Sequence, residues 1–268
     1  MKNDFILWPI ILVNEKTIKR LLKFINIKPK LFLMEILPGI EIVDLALWLQ
    51  KEKILVISDL HLGYEGELEE RGFFIPKFQL KDVLQGVGKI LKKIKPEKII
   101  ISGDMKHNYG QILKQEWRDV LKLVDFLLDN CRELILIRGN HDLFLGPLAG
   151  KRNVKLVESY QINDFFVCHG DKIKTIDPQI KNIIIGHEHP AIILKDKNKS
   201  EKFKCFLKGK FKRKNLVVIP SFNPLSDGAS ISKTGIFSPY LPDLSNFQVY
   251  VVGEKVYDFG KVKDLPTS

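Results

Sequence analysis

The sequence predicts an α/β fold built on a largely parallel sheet, and three observations support this. Short apolar runs rich in β-branched residues are bounded by Gly, Asp, Asn or Pro, as expected for strands buried on both faces. Between the first of these runs lie longer segments whose apolar residues recur every three or four positions, which is typical of amphipathic helices. The resulting βαβαβ order implies right-handed crossover connections between parallel strands.

The domain proper is expected to cover residues 34–268, with residues 1–33 as an N-terminal extension outside the core. Within the extension, Lys16–Asn26 (KTIKRLLKFIN) has the pattern of a basic amphipathic helix. Met34 is an alternative translation start, and Glu35–Val43 (EILPGIEIV) is predicted to form the first strand.

The remaining elements follow in order along the chain. Gln79–Ile94 and Gln115–Leu128 are the predicted helices. Near the end, Gln248–Val252 and Lys255–Phe259 flank Gly253-Glu254 and predict a β-hairpin, so a second sheet is expected to pack on the first. The strands that form the buried sheet are predicted at Ile54–Ile57, Lys98–Ile101, Leu134–Ile137, Phe165–Val167, Ile183–Ile185 and Leu216–Ile219.

The composition favours a globular protein with an acidic partner. The 268 residues suffice for a full core, and no run approaches the roughly 18 apolar residues that a membrane-spanning helix needs, so no membrane association is expected. The three cysteines form no CxxC pair, which favours a reduced, cytoplasmic location. A formal net charge of +11 favours nucleic acid, phosphates or anionic lipid as partners.

Potential metal ligands follow five of the predicted strands at their carboxyl ends. In an open α/β sheet this edge is where loops converge and ligands bind. All six histidines of the chain lie at or just beyond a strand end, and none occurs in the last 79 residues. The ligand candidates are Asp59, His61, Asp104, Asn140, His169, His187 and His189.

Seven candidates are too many for one ion, but they suit two ions that share a bridging carboxylate. Imidazoles together with Asp and Asn oxygens suit Mn²⁺, Fe²⁺ or Zn²⁺. Two such ions can activate a hydroxide and hold the attacking and leaving oxygens of an in-line displacement, which favours a phosphate-ester substrate. The simpler alternative for His187 and His189, taken alone, is a surface pair in a turn.

These residues resemble, in order and content, the five motifs of the calcineurin-like metallophosphoesterases. The motifs are Asp59-x-His61, Gly103-Asp104, Gly139-Asn140-His141-Asp142, His169 after a strand, and Gly186-His187-x-His189. The resemblance covers about residues 54–190. It implies a four-layer α/β/β/α sandwich and two divalent ions, with Mn²⁺ expected first and Fe²⁺, Zn²⁺ or Ni²⁺ as alternatives.

The resemblance also implies a role for each residue. One ion would bind Asp59, His61, Asp104 and His189, and the other would bind Asp104, Asn140, His169 and His187. His141 would be the catalytic acid that protonates the leaving oxygen, oriented by a carboxylate such as Asp142. The alternative for Asp142 is a structural turn residue.

Two details resemble the SbcD/Mre11 nucleases and small archaeal and ligase-associated phosphoesterases related to them. His61 is followed by Leu62-Gly63, and Gly103-Asp104 is followed by His107 three residues after the aspartate. The resemblance implies that His107 contacts the scissile phosphate. The alternative is that His107 supports a ligand or faces solvent.

The segment Lys195–Lys214 carries ten Lys and Arg residues against two acidic ones, which accounts for +8 of the net charge. Phe203, Phe206 and Phe211 are interleaved among these cations, which favours DNA or RNA as a partner through phosphate contacts and base stacking. The alternative is a strand pair joined near Gly209, with exposed lysines and buried phenylalanines.

The sequence-based hypothesis is therefore a two-metal phosphodiesterase or nuclease, in which a metal-bridged hydroxide attacks the phosphodiester and His141 is the general acid. A phosphomonoesterase or small nucleotide hydrolase is the alternative, and an inactive scaffold of the same fold is a remote one. The physiological substrate and the oligomeric state stay open, with a homodimer as one option.

Overall fold

A computed structural model describes residues 33–73, 76–110, 113–152, 154–196, 199–231 and 237–265 of the chain. The α/β fold with two packed sheets is confirmed. The predicted helix Lys16–Asn26 and residues 1–32 of the predicted extension lie outside the described residues, so the domain boundary and the alternative start at Met34 stay predictions. None of the described helices is both long and apolar enough to cross a membrane.

The first sheet has seven strands that lie side by side in chain order. The first four form an antiparallel meander, and the fourth to the seventh are parallel to one another. The strands are β1 (Leu33–Leu37), β2 (Ile40–Val43), β3 (Ala46–Leu49), β4 (Ile54–Ile57), β5 (Lys98–Ser102), β6 (Glu133–Ile137) and β7 (Lys155–Val157). The helices are α1 (Tyr64–Glu70), α2 (Gln79–Leu91), α3 (Lys114–Leu128) and α4 (Gly146–Arg152).

The predicted first strand over Glu35–Val43 is wrong, because this stretch forms the two strands β1 and β2. Pro38 lacks an amide N–H for a strand ladder. Gly39 has φ of +77°, which side chains disfavour, and its N–H donates to Glu35 Oε1 at 2.9 Å. The Pro-Gly pair therefore reverses the chain.

The second sheet has nine strands in the described residues, with β15 and β16 attached to β12. Its centre is parallel, since β10 pairs in parallel with both β9 and β13. The predicted hairpin is confirmed as β15 paired with β16. The strands are β8 (Ser159–Ile162), β9 (Phe165–Cys168), β10 (Asn182–Ile185), β11 (Pro190–Asp196), β12 (Lys199–Phe211), β13 (Lys214–Val218), β14 (Ala229–Ser230), β15 (Gln248–Val252) and β16 (Val256–Lys261).

The two sheets pack face to face, and the alternation of side chains along β4 shows how. Ile54 and Val56 are buried between the sheets, whereas Leu55 and Ile57 pack against the helices. Helices α2 and α3 therefore cover the outer face of the first sheet. In the described residues the outer face of the second sheet is covered by the turn-rich segment 237–247, where the expected fourth layer would have helices.

The basic segment Lys195–Lys214 contains the end of β11, all of β12 and the turn into β13. Phe203 and Phe206 are buried in the core and Phe211 packs against Tyr240, so these rings are not placed to stack on nucleobases. Gly209 lies inside β12 rather than at a turn. The alternation of Phe and Lys therefore reflects a strand with one buried face. The strand-pair alternative correctly predicts that the phenylalanines are buried, but its turn near Gly209 is wrong.

Candidate metal centre

The seven predicted ligands lie together at the carboxyl edge of the parallel strands. They occupy loops that follow β4, β5, β6, β9 and β10, as the sequence predicts. The buried parallel strands of both sheets end at this edge, so five loops converge there. All six histidine rings belong to the same site.

The donor atoms fall into two groups. In the first, His61 Nε2 lies 3.2 Å from His189 Nε2, which is 3.4 Å from Asp59 Oδ1. In the second, His169 Nε2 lies 3.1 Å from His187 Nδ1 and 2.9 Å from Asn140 Oδ1. The two groups divide the histidines as the resemblance implies.

Asp104 stands between the two groups. Its Oδ2 lies 3.6 Å from His61 Nε2 and 3.4 Å from His169 Nε2, one nitrogen from each group. The same oxygen is 3.8 Å from His141 Nε2. This is the position that a bridging carboxylate requires.

The backbone of the ligand loops is strained. Among the described residues, nine that are not glycine have a positive φ, a region that residues with a Cβ seldom adopt. Five of the nine are predicted ligands, with φ between 43° and 68°. These are Asp59, His61, Asp104, His187 and His189. Such strain concentrates at functional sites, so it independently marks these loops.

Two glycines let the loops approach closely. A Cβ on Gly139 would lie 2.1 Å from Asp104 Oδ1, and a Cβ on Gly186 would lie 1.8 Å from Ser58 Oγ. Any side chain at these positions would displace a carboxylate or its hydrogen-bond donor. Glycine therefore precedes Asn140 and His187 for a steric reason.

The arrangement fits bound cations. Asp59 Oδ1 is buried and accepts no hydrogen bond from any residue that the structure describes. Facing imidazole nitrogens about 3 Å apart, as in His61 and His189, cannot both donate to each other. A cation between such lone pairs and carboxylates satisfies both, and the N and O donors suit borderline or hard divalent metals.

The protonation equilibria point the same way. Burial, together with the nearby His189, lowers the pKa of His61 to about 3, so this imidazole is neutral. Although burial opposes it, His189 and His169 keep the pKa of Asp59 below its ordinary value. Neutral imidazole and ionised carboxylate are the forms that bind metal. Burial likewise opposes a charged His169, yet Asp104 and Asp59 raise its pKa to about 9, so this pair of carboxylates strongly attracts positive charge.

Residues 52–245 match the family model described as calcineurin-like phosphoesterase. The chain belongs to the calcineurin-like phosphoesterase family. It is accordingly a metal-dependent phosphoric ester hydrolase, and divalent ions at its His and Asp sites are typical of the family.

Two solved structures are similar to this chain. Nuclease MPE of Pseudomonas putida aligns with a TM-score of 0.60 and 20% identity, covering 87% of this chain and all of that one (100%). The phosphoesterase Yfce of E. coli aligns with a TM-score of 0.40 and 13% identity, over 76% of this chain and 95% of that one. No curated protein matches the chain.

The expectation that Asp142 orients His141 does not agree with the structure. The carboxylate of Asp142 accepts backbone N–H groups of Gly139 at 3.0 Å, Met105 at 3.1 Å and Lys106 at 3.3 Å. The partner of His141 Nδ1 is instead the carbonyl oxygen of His107. These three hydrogen bonds hold the side chain of Asp142 within the loops, which agrees with the structural alternative.

His107 lies beside the site, with both ring nitrogens facing protein groups. Its Nδ1 is 3.2 Å from His61 Nδ1, and its Nε2 contacts the carboxylate of Glu67 on α1. This geometry favours the alternative in which His107 supports His61. Contact of His107 with a scissile phosphate stays a prediction, and it would require Glu67 to move.

Sequence reasoning missed Tyr109. Its hydroxyl accepts a hydrogen bond from Asn140 Nδ2 at 2.9 Å, which directs Asn140 Oδ1 towards His169. Its ring lies 3.6 Å, centroid to centroid, from that of His141. An aromatic residue five positions after Asp104 carried no recognisable signal in the sequence.

Lys204 also supports the site, and its place among the cations of the basic segment does not distinguish it in the sequence. Its Nζ donates to the carbonyls of Ser221 at 2.8 Å and Asn223 at 2.6 Å. Ser221 Oγ in turn donates to the carbonyl of Asp59 at 2.6 Å. Lys204 thus braces the loop beneath a ligand, and burial lowers its pKa to about 7.

The Tyr109→Phe variant should bind the second metal more weakly. It removes the hydroxyl that orients the Asn140 amide, and losing such an outer partner costs about 10-fold or more in metal affinity. Calorimetric titration with Mn²⁺ would measure this. The matched control is Tyr160→Phe. It removes the hydroxyl of a tyrosine on β8 that accepts a hydrogen bond from Lys98 Nζ at 3.2 Å. Equal affinities in the two variants would contradict the role of Tyr109.

The stability contribution of Lys204 should depend on pH. The folded-state pKa of about 7 lies below the ordinary 10.5, so the unfolded chain binds more protons between these values. Stability from this group is therefore reduced below about pH 7 and recovers as the pH rises towards 10.5. Urea unfolding at about pH 7 and about pH 10 should show wild type gaining relative to Lys204→Met. The control is Lys210→Met, because Lys210 is exposed. If the difference in unfolding free energy between wild type and Lys204→Met does not change with pH, the lowered pKa of Lys204 does not contribute to stability.

Proposed function

We propose that this metallophosphoesterase is a phosphodiesterase that cleaves nucleic acid. The observation that carries the proposal is the pair of donor groups that meet at Asp104 Oδ2, with His141 Nε2 3.8 Å from the same oxygen. A phosphate held by two metals at these groups would place one of its ester oxygens near His141.

The residues that would hold the metals are Asp59, His61, Asp104 and His189 for one ion, and Asp104, Asn140, His169 and His187 for the other. When bound, such ions activate water and offset the charge of the phosphate. We propose Mn²⁺ first, since the donors are imidazole nitrogens and carboxylate or amide oxygens without a thiolate.

The protein's own acid in this proposal is His141. The carbonyl oxygen of His107 can only accept a hydrogen bond, so His141 Nδ1 carries a hydrogen and donates a hydrogen bond to that oxygen. Nε2 is then the nitrogen that faces the reacting groups, and the imidazolium can give a proton from it to the leaving oxygen. An alkoxide released from a diester is a poor leaving group without that proton.

Two features support nucleic acid as the diester. The formal net charge of +11 attracts polyanions. The fold also resembles that of nuclease MPE, although at 20% identity this likeness concerns the fold alone. A cytoplasmic location is part of the proposal, because the three cysteines are free thiols in the structure.

The substrate class can be tested with one panel of assays in Mn²⁺. We expect turnover of bis-p-nitrophenyl phosphate and cleavage of labelled DNA, both abolished by a chelator. The Asp104→Asn variant, which replaces the shared carboxylate by a neutral amide, should lose both activities. Rapid hydrolysis of p-nitrophenyl phosphate without diester or nucleic-acid cleavage would instead identify a phosphomonoesterase.

The His141→Ala variant should lose turnover while it keeps its metals. Loss of general acid catalysis costs about 10²–10⁴-fold in rate. Metal content measured by mass spectrometry should stay equal to that of wild type, since no role as a ligand is assigned to His141. A variant that loses one metal would show that the residue is a ligand rather than the acid.

A further inference from the structure

The exposed apolar side chains of this protein are concentrated around the metal centre. Seven large hydrophobic side chains are exposed in the part of the chain that the structure describes. Five of them follow a ligand within a few residues or bond to a residue between two ligands, and they are between 50% and 71% exposed. We call these five the apolar rim: Tyr109, Leu143, Phe144, Ile173 and Phe237.

Four rim residues lie in loops that carry predicted ligands, and Phe237 is hydrogen-bonded to such a loop. Tyr109 lies against His141, and Leu143 and Phe144 directly follow Asp142. Ile173 lies four residues after His169. The N–H of Phe237 donates to Glu188 Oε1 at 2.8 Å, and Glu188 stands between His187 and His189.

Hydrogen bonds hold the backbone beside two rim residues in place, although the rim side chains themselves are exposed. Lys174, next to Ile173, donates its N–H to Tyr240 Oη at 2.9 Å. Ser238, next to Phe237, donates its hydroxyl to the carbonyl of Gly170 at 2.6 Å. A fixed backbone that carries exposed apolar side chains is typical of a preorganised binding surface, because the loops lose little conformational entropy when a ligand binds.

We propose that the apolar rim stacks on unpaired nucleobases that flank the scissile phosphate, so that the substrate is a single-stranded polynucleotide. The inference rests on the proposed diesterase function and names its substrate class. Three of the five rim residues are aromatic, and aromatic rings bind exposed base faces without regard to sequence. In a duplex those faces are already stacked on neighbouring bases and are not accessible.

The basic segment does not offer this chemistry, because Phe203 and Phe206 are buried. The rim instead combines apolar faces with a phosphate site. The neighbouring Lys172 has a side chain that is 76% exposed, with its Nζ 3.7 Å from Asp171 Oδ2, and it can reach a backbone phosphate from there. Tyr109 is held at its hydroxyl by Asn140 and against His141 at its ring, so it offers a flat, fixed surface beside the metals.

Binding can be separated from turnover in a His141→Ala background. Fluorescence anisotropy with a labelled single-stranded 12-mer (roughly the reach of one site) should show binding in Mn²⁺. Adding Phe144→Ala or Phe237→Ala should weaken binding about fivefold or more, because each removes one stacking surface. A strand with abasic nucleotides should bind the background variant as weakly as the rim variants bind the intact strand.

Phe73→Ala is the matched control, since Phe73 is 60% exposed but follows α1 rather than a ligand-bearing strand. It should leave the affinity for the strand unchanged. A blunt duplex of equal length should bind more weakly than the single strand. Melting temperature and metal content should be the same for all variants, which excludes loss of fold as the cause.

Three outcomes would overturn the inference. Rim variants that bind the single strand as well as their background would show that the rim makes no contact with bases. Tighter binding to the duplex would exclude unpaired bases as the ligand. Rim-dependent binding to phosphatidylglycerol vesicles without strand binding would identify a lipid surface. Failure of the proposed function is distinct, because it would show in the turnover of bis-p-nitrophenyl phosphate by wild type.

Discussion

The structure depends on bringing two buried carboxylates, Asp59 and Asp104, into one cluster of imidazoles. Neither is solvated, since both are almost fully buried, and such burial is costly unless each charge is compensated. The compensation comes partly from the protein itself. His141 N–H donates to Asp104 Oδ1 at 2.9 Å, and His187 N–H donates to Asp59 Oδ2 at 3.0 Å. The oxygens on the other side of each carboxylate face the imidazoles, and that is where divalent ions fit.

Holding these groups in place requires a rigid frame, which the two sheets supply. His61 N–H donates to the carbonyl of Asp104 at 2.8 Å, and Gly186 N–H donates to that of His169 at 2.9 Å. Each bond joins loops from neighbouring parallel strands, so the strand pairing continues into the site. Five of the seven predicted ligands have a left-handed backbone, and these bonds and the packed strands below help to maintain it.

The sequence was sufficient for what depends on local pattern. The buried strands β4, β5 and β10 are continuous apolar runs, and the ligands follow them directly, so both could be predicted. The hydrogen-bond partners of Asp142 and Tyr109 could not be predicted, because they are set by how the loops fold in space rather than by spacing in the sequence. The basic segment misled for a related reason: alternation of Phe and Lys fits a stacking surface and a half-buried strand equally well. Only the pairing of β12 with β11, β13 and β15 decides between them.

The segment 237–247 contacts both the core and the site. In the described residues it covers the outer face of the second sheet, where a helix was expected. Tyr240 is fully buried against the sheet, while its hydroxyl receives the N–H of Lys174 in the loop after His169. Glu188 accepts the N–H groups of Phe237 and Ser238, which holds its carboxylate towards the segment 237–247. The N–H groups of Phe237 and Ser238 can bond to Glu188 because they lie in irregular backbone, whereas N–H groups inside a helix bond internally. The same irregular layer that closes the core therefore fixes two ligand loops and presents Phe237 at the rim.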